Sequence, residues 1–565
     1  MRPSSLGPVV VALICCIDGF AVNAHKQPVV QVRDGTLVGD HVASYGQDLF
    51  LGIPYAQPPV GELRFQNPKP YNKTYKSRDA TKYGDSCVGY GNSPAWPHTM
   101  SEDCLTLNVV RPSSTNNNNN NKKPGPGRPD LLPVGVWIHG GGWSMDYSAN
   151  GVYNLTFMVE ESTKMGKPLI AVSLNYRLSF WGFMASQDIL QAGVANLGLK
   201  DQRLALHWIK DNIRAFGGDP TKITIFGESA GGGNVGYHAT AFGGRSDGLF
   251  RALIAQSGAD GSDGKNFTSP EQIYDGIAAA AGCQEARDKL ACLRRAPFDK
   301  LNATINSIIA PSFSPVVDGD FVPNYPSVLL EQGNFTKLPF LLGTTADEGT
   351  LFANPMVATD EQFLSVVKGT GVDDKAADIL EALYPNVDAL GLPAQYRVPT
   401  DGSVGAQYKR AVAFLTDQMF LSWRRLRADT WSRHGLPVYT YLFESPRDWS
   451  SRMGSSHFSE IGYVFYNLLN LGYAPGIAPF GDDAQAKKKK HLARLMTRMW
   501  ISFISDLDPN HHKLKGVATW PRYDAAGGYG STFYLSPNKT GPMPDTFRLA
   551  GTRYMESIAA QQFGR

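Results

Sequence analysis

The chain has 565 residues, enough for several domains of ordinary size or for one large α/β unit. Hydrophobic residues make up 42% and charged residues 19%, the composition of a globular protein that can bury a sizeable core. A net charge of +3 is too small to point to nucleic acid or an anionic membrane as the partner.

The chain opens on Arg2, an apolar run over residues 9–17 and the small-residue pattern Val22-Asn23-Ala24. That order predicts an export signal over residues 1–24 and a mature chain from His25. A buried first strand fits less well, because the run is apolar on every face and ends at a cleavage pattern. Apolar runs at 105–110 and 132–138 flank Asn116–Asn121 and the segment Lys122-Lys123-Pro124-Gly125-Pro126-Gly127. A polar, Pro/Gly-rich stretch cannot bury apolar area, so it reads as a surface insertion between two strands.

From residue 169 strand and helix patterns alternate. Residues 169–174 form a continuous apolar run, as buried parallel strands do. Leu204, Leu206, Trp208, Ile209 and Ile213 give 199–216 a helical spacing. A strand at 223–226 and a helix at 230–240 follow, then strands at 253–255 and 338–342. Residues 408–431 read as a helix, 438–443 as a strand and 491–504 as a helix. The alternation predicts an α/β fold, a central and mostly parallel sheet with helices on both faces. No later segment has the roughly 18 unbroken apolar residues that a membrane span needs, and residues 559–565 are not a hydrophobic anchor tail.

Chemistry concentrates between the strand at 223–226 and the helix at 230–240. Gly227-Glu228-Ser229-Ala230-Gly231 matches G-x-S-x-G, weak in isolation but here set between a β-branched strand and a small-residue helix. That context predicts a sharp strand–turn–helix elbow with the Ser229 hydroxyl exposed, and glycines where a Cβ would clash. His139-Gly140-Gly141-Gly142-Trp143 ends another strand in a glycine run, whose backbone N–H groups can approach a ligand closely. No G-K-[ST] follows, so a phosphate loop is disfavoured.

A nucleophilic serine needs a base and an acid, in the chain order Ser, Asp/Glu, His. Of the late histidines, His434 and His491 sit in charged helical stretches and His511-His512 in a polar loop. His457 lies in a loop after the strand at 438–443, where a side chain can reach over the sheet edge. For the acid, Asp347 and Glu348 both follow the strand at 338–342, and the residues alone do not choose between them. Glu228 precedes the serine and is expected to point elsewhere on the sharp turn.

Four cysteines remain beyond the signal: Cys87, Cys104, Cys283 and Cys292. An even count in an exported chain reads as two disulfides, and the pairing Cys87–Cys104 with Cys283–Cys292 closes the shortest loops. Glycosylation sequons begin at Asn72, Asn154, Asn266, Asn302, Asn334 and Asn538.

These residues resemble the type-B carboxylesterase/lipase family of α/β-hydrolases, whose relatives include cholinesterases and fungal lipases. The likeness also runs through Gly52-Ile53-Pro54-Tyr55-Ala56, Ser101-Glu102-Asp103-Cys104-Leu105, Asn175-Tyr176-Arg177, Gln256-Ser257-Gly258, Asp347-Glu348-Gly349 and His457-Phe458-Ser459-Glu460. The resemblance implies one hydrolase domain over residues 25–565, with helical insertions, and a Ser229–His457–Glu348 triad. It implies oxyanion donors at the N–H groups of Gly141, Gly142 and Ala230, and Ser257 as a partner of the triad acid. It also implies the ion pairs Arg64–Glu102 and Arg177–Asp201.

The expected activity is hydrolysis of small-molecule or lipid carboxylic esters by a secreted glycoprotein, without metal or cofactor. A triacylglycerol lipase is the alternative. A catalytically inactive adhesion relative is disfavoured because all three triad residues are present. The loop between Cys87 and Cys104, which resembles the family's lid, is short and polar, with Trp96 its large apolar residue. That predicts an esterase rather than an interfacial lipase.

Overall fold

The computed structural model describes residues 27–565 except 92–97, 114–130, 259–267, 308–312, 388–400, 447–451, 475–476 and 483. The expected export signal over residues 1–24, the asparagine-rich stretch 116–121, Trp96 and Asn266 therefore lie outside the described residues.

Eleven strands form one twisted sheet. From edge to edge they are Asp40–Val42, Gln47–Pro54, Thr106–Pro112, Ile170–Leu174, Leu132–Ile138, Gly218–Glu228, Ala252–Gln256, Phe340–Thr345, Val438–Phe443, Ser531–Leu535 and Thr540–Pro544. The six pairings from Ile170–Leu174 to Ser531–Leu535 are parallel, and the remaining pairings at the two edges are antiparallel. Sequence reasoning found the parallel centre. It passed over the edge strands at both ends, which are short or carry Pro and Gly.

Strand periodicity divides the core. Val134, Val136 and Ile138 face one hydrophobic cluster while Trp137 between them faces the other. Ile223 and Ile225 against Phe226, and Phe340 and Leu342 against Leu341, repeat the pattern. The helix Leu197–Asn212 closes the first cluster and Ala486–Asp506 the second. With both faces covered, the central strands Ile170–Leu174, Ala252–Gln256, Phe340–Thr345 and Val438–Phe443 are buried at every position.

The chain order reverses around Leu132–Ile138, which has the following strand on one side and Gly218–Glu228 on the other. In open α/β sheets a crevice forms at such a reversal, beyond the carboxyl ends of the strands. The glycine run at 140–142 and the Ser229 elbow both emerge there.

The stretch 408–431 is helical throughout, as expected, but not uniformly α-helical. It runs Tyr408–Thr416, a π-helical turn Asp417–Leu421 and then Ser422–Arg433. Such turns are stable only when their surroundings hold them. Here the buried Asp417 accepts from Arg548 Nε at 2.7 Å and Nη2 at 2.5 Å, and from the Tyr384 hydroxyl at 2.6 Å.

Arg177 and Asp201 form a buried bidentate pair, with Nε–Oδ2 at 2.8 Å and Nη2–Oδ1 at 2.6 Å. Asp201 Oδ2 also accepts from the Arg177 backbone N–H. Removing one partner would leave a buried charge uncompensated. Asp201→Asn is therefore expected to lower stability by about 3–5 kcal/mol, read as a fall in the urea midpoint. An unchanged midpoint would show that the pair is not structural.

Candidate active site

Ser229 sits between the strand Gly218–Glu228 and the helix Ala230–Gly244, with φ 57° and ψ −127°. Few L-residues adopt this conformation, and it persists only where packing enforces it. The neighbours supply that enforcement. A Cβ on Gly227 would meet the Gly231 carbonyl carbon at 2.5 Å, and one on Gly231 would meet the Ile138 oxygen at 2.1 Å. The elbow is thus wedged against the end of Leu132–Ile138, and its hydroxyl is thrown out over the crevice.

A continuous line of hydrogen bonds starts from that hydroxyl. Ser229 Oγ lies 2.8 Å from His457 Nε2, and His457 Nδ1 lies 2.6 Å from Glu348 Oε2. The other carboxylate oxygen, Oε1, accepts from Ser257 Oγ at 2.5 Å and from the Thr345 backbone N–H at 2.7 Å. Glu348 opens a short 3-10 turn directly after the strand Phe340–Thr345, which folds its carboxylate back over the strand end. Asp347 faces the other way. Its Oδ2 accepts from the Ser455 N–H at 2.8 Å, in the loop that carries His457.

Above the serine, the chain turns sharply at Gly141, with φ 91°, and Gly142, with φ 60°. A Cβ on Gly141 would overlap the Met145 carbonyl oxygen at 2.2 Å, so the turn demands glycine. The Gly141 and Gly142 N–H groups have no backbone acceptor among the described residues. Ala230 is the first residue of its helix, so its N–H has no intrahelical acceptor. The turn is braced from below, where the Tyr176 hydroxyl donates to the His139 oxygen at 2.9 Å and Trp143 Nε1 to Asn234 Oδ1 at 2.7 Å.

The sequence profile of the carboxylesterase family matches residues 26–546. The chain belongs to the carboxylesterase family. It is 36% identical to Lipase 4 of Diutina rugosa over 95% of this chain and 97% of that one. It is 33% identical to Secreted lipase 1 of Botryotinia fuckeliana over 92% and 91%. Among solved structures it is similar to Aspergillus niger EstA, with a TM-score of 0.81 and 28% identity over 95% of this chain and 99% of that one. The protein is a carboxylic ester hydrolase with the α/β-hydrolase fold.

In this carboxylesterase Glu228 departs from the sequence expectation. It does not point away from the site, because its Oε1 lies 3.3 Å from His457 Nε2. The strand's last residue turns inward under the elbow, and the carboxyl ends fully buried. Neither oxygen has an aligned hydrogen-bond partner among the described residues. Burial, then the neighbouring Glu460 and Glu348, push its pKa well above the usual carboxylate range. Glu460, also buried, is pushed up to about 7 by desolvation and then by Glu348. Glu460 Oε1 accepts from Gln256 Nε2 at 3.3 Å, and Gln256 in turn accepts from Trp500 Nε1 at 2.9 Å.

Two aromatic rings flank the imidazole of His457. Phe420, from the π-helical turn, lies 4.7 Å away and Phe352 lies 5.4 Å away, centroid to centroid. Sequence reasoning missed Phe420. No periodic signal marks a π turn, and the groups that hold its first residue, Asp417, are Tyr384 and Arg548, distant in the chain.

Cys87 and Cys104 are disulfide-bonded, as are Cys283 and Cys292. Arg64 ties the first loop to the segment that directly follows the second. Its guanidinium binds Glu102 at 2.6 Å and 2.7 Å and donates to the carbonyls of Arg294 at 3.0 Å and Ala296 at 2.5 Å. Of the sequon asparagines, Asn72, Asn334 and Asn538 are exposed. Asn154 and Asn302 are half-buried and already accept hydrogen bonds, from the Thr156 N–H and the Tyr90 hydroxyl. Among the described residues no cluster of His, Cys, Asp or Glu could hold a metal ion, and no helix is long and apolar enough to cross a membrane.

Proposed function

We propose that this hydrolase cleaves carboxylic esters in two steps through an acyl-enzyme on Ser229. The observation that carries the proposal is the unbroken line from Ser229 Oγ through His457 to Glu348, at 2.8 Å and 2.6 Å. His457 Nε2 takes the Ser229 proton as Oγ attacks the ester carbonyl carbon. The N–H groups of Gly141, Gly142 and Ala230 receive the oxyanion. His457 then gives the proton to the departing alcohol. Water, activated the same way, releases the carboxylic acid and restores Ser229. Glu348 holds Nδ1–H and stabilises the imidazolium. No step needs a metal or cofactor. A panel of nitrophenyl esters of increasing acyl length tests the reading. Turnover is expected, fastest on short acyl groups. If every ester in the panel stays intact, the reading is wrong.

Water-soluble esters are the proposed substrates. A lipase lid works by moving large apolar side chains from the protein surface onto oil, and at roughly 25 cal/mol per Å² several such residues store several kcal/mol. Around the Cys87–Cys104 loop, Val88 is buried and the Tyr90 hydroxyl is held between Asn302 and Trp181, at 2.7 Å and 3.0 Å. Among the described residues of the loop, Met100 alone is an exposed large apolar side chain. Rate against tributyrin concentration is expected to pass through the solubility limit without a jump.

The lipase alternative draws on relatives bearing that name and on exposed Leu351, Phe352, Met356 and Leu469, from the segments after Glu348 and His457. A sharp rise at saturation would favour it.

The chain is further proposed to be secreted as one hydrolase domain over residues 25–565 and to be glycosylated. Support comes from the leader-like residues 1–24, the disulfide-bonded cysteines, the sequons and a relative named as a secreted lipase.

A further inference from the structure

A cavity of about 330 Å³, lined by none of Ser229, Glu348 and His457, lies between the end of the helix Asp374–Leu383, the start of Tyr408–Thr416 and the start of Leu549–Ser557. Leu383, Pro385, Val387, Ala413 and Leu549 give it apolar walls. Its charged lining is entirely basic, namely Lys409, Arg410 and Arg548, and no Asp or Glu lines it among the described residues.

The two arginines are already neutralised. Arg410 binds Asp360 at 2.8 Å, and Arg548 binds Asp417. Lys409 has no hydrogen bond or ion pair among the described residues. The cavity therefore presents an apolar volume of ligand size with one positive charge at its wall that no hydrogen-bonded carboxylate holds, its field reaching only as far as the buried Asp347 among the groups it favours, the chemistry of a site for an amphiphile with one anionic head.

We propose that this cavity binds a carboxylate with an apolar tail, the class of product that ester hydrolysis releases. Over the two steps the C–O bond to the alcohol breaks and the alcohol leaves with a proton, water then takes its place on the acyl carbon and restores the Ser229 proton, and the acid formed gives up its own proton to solvent. The ammonium of Lys409 takes the carboxylate head, and the tail lies along Leu383, Val387 and Leu549.

The site is connected to the catalytic centre. Tyr384 and Arg548, both in its wall, are the groups that hold Asp417 at the base of the π-helical turn. That turn carries Phe420 against the ring of His457. An occupant that shifts either wall residue acts on the turn, so released product reaches His457 through packed side chains.

The choice of a carboxylate rests on the ester-hydrolase reading, so the test is run without turnover. Laurate, below its micellar concentration, is titrated calorimetrically into the Ser229→Ala chain and into the same chain carrying Lys409→Glu or Thr546→Trp. Thr546 is an exposed residue of the cavity rim, so a tryptophan there blocks the opening without touching the core. The Ser229→Ala chain is expected to bind laurate, with dodecylammonium at least tenfold weaker. Each second substitution should weaken one laurate per chain by about tenfold or more. Identical isotherms in all three chains, or equal binding of the cationic probe, would overturn the site. Loss of activity in Ser229→Ala bears on the triad alone and leaves this measurement unaffected.

Discussion

Replacing Ser229 with alanine is expected to lower kcat by about 10⁴-fold or more while leaving the melting temperature within a degree or two of the parent. The loss follows from geometry. The hydroxyl is the one group 2.8 Å from His457 Nε2 that can attack a carbonyl, and without it the imidazole has no nucleophile to deprotonate. The N–H groups of Gly141, Gly142 and Ala230 stay in place, so a small residual rate from a bound water remains. The fold survives because the change removes one atom from a partly exposed side chain. Alanine meets the same backbone strain at φ 57° that serine already bears. The measurement is kcat on a short nitrophenyl ester beside a thermal unfolding curve. Turnover within about tenfold of the parent would remove Ser229 from the mechanism.

What the sequence discloses depends on how local the determinant is. The central strands are legible because burial on both faces forces continuous apolar runs such as residues 169–174. The elbow is legible because its sterics are set by residues two positions away, Gly227 and Gly231. The edge strands Thr540–Pro544 and Asp40–Val42 are not, since a strand paired on one side tolerates Pro and charge. Glu228 defeats local reasoning in another way. Its carboxyl ends 3.3 Å from His457, a residue more than two hundred positions later in the chain that no local pattern brings near. Phe420 depends on Asp417, Arg548 and Tyr384, which no spacing rule connects. Asp347 and Glu348 are neighbours of like chemistry, so only the three-dimensional turn separates their directions.

That separation supports a sharp prediction: Glu348→Gln should lower kcat by about 10³–10⁴-fold, whereas Asp347→Asn should change it by no more than a few-fold. Glu348 Oε1 accepts two donors, Ser257 Oγ–H and the Thr345 N–H. A glutamine must place its carbonyl oxygen there, because an amide –NH₂ would face those donors head-on. Its –NH₂ then points at His457 Nδ1 and donates to it. Nδ1 must become the acceptor, the ring proton moves to Nε2, and Nε2 can no longer take the proton of Ser229. The side-chain volume hardly changes, so the variant folds, and the loss appears in kcat rather than in yield. Asp347 makes no such demand. Its Oδ2 accepts one backbone N–H, which an asparagine oxygen also accepts. Burial raises its pKa from 3.8 to about 6, so the folded state holds this carboxyl in its neutral form more readily than the unfolded chain does. The sign of the pH effect follows. The stability this group contributes is fully present below pH 3.8 and is lost as pH rises through about 6. Asparagine does not titrate, so the melting temperature of Asp347→Asn should gain on the parent across that window and hold its lead above it. A larger kcat loss for Asp347→Asn than for Glu348→Gln would exchange the roles of the two carboxylates.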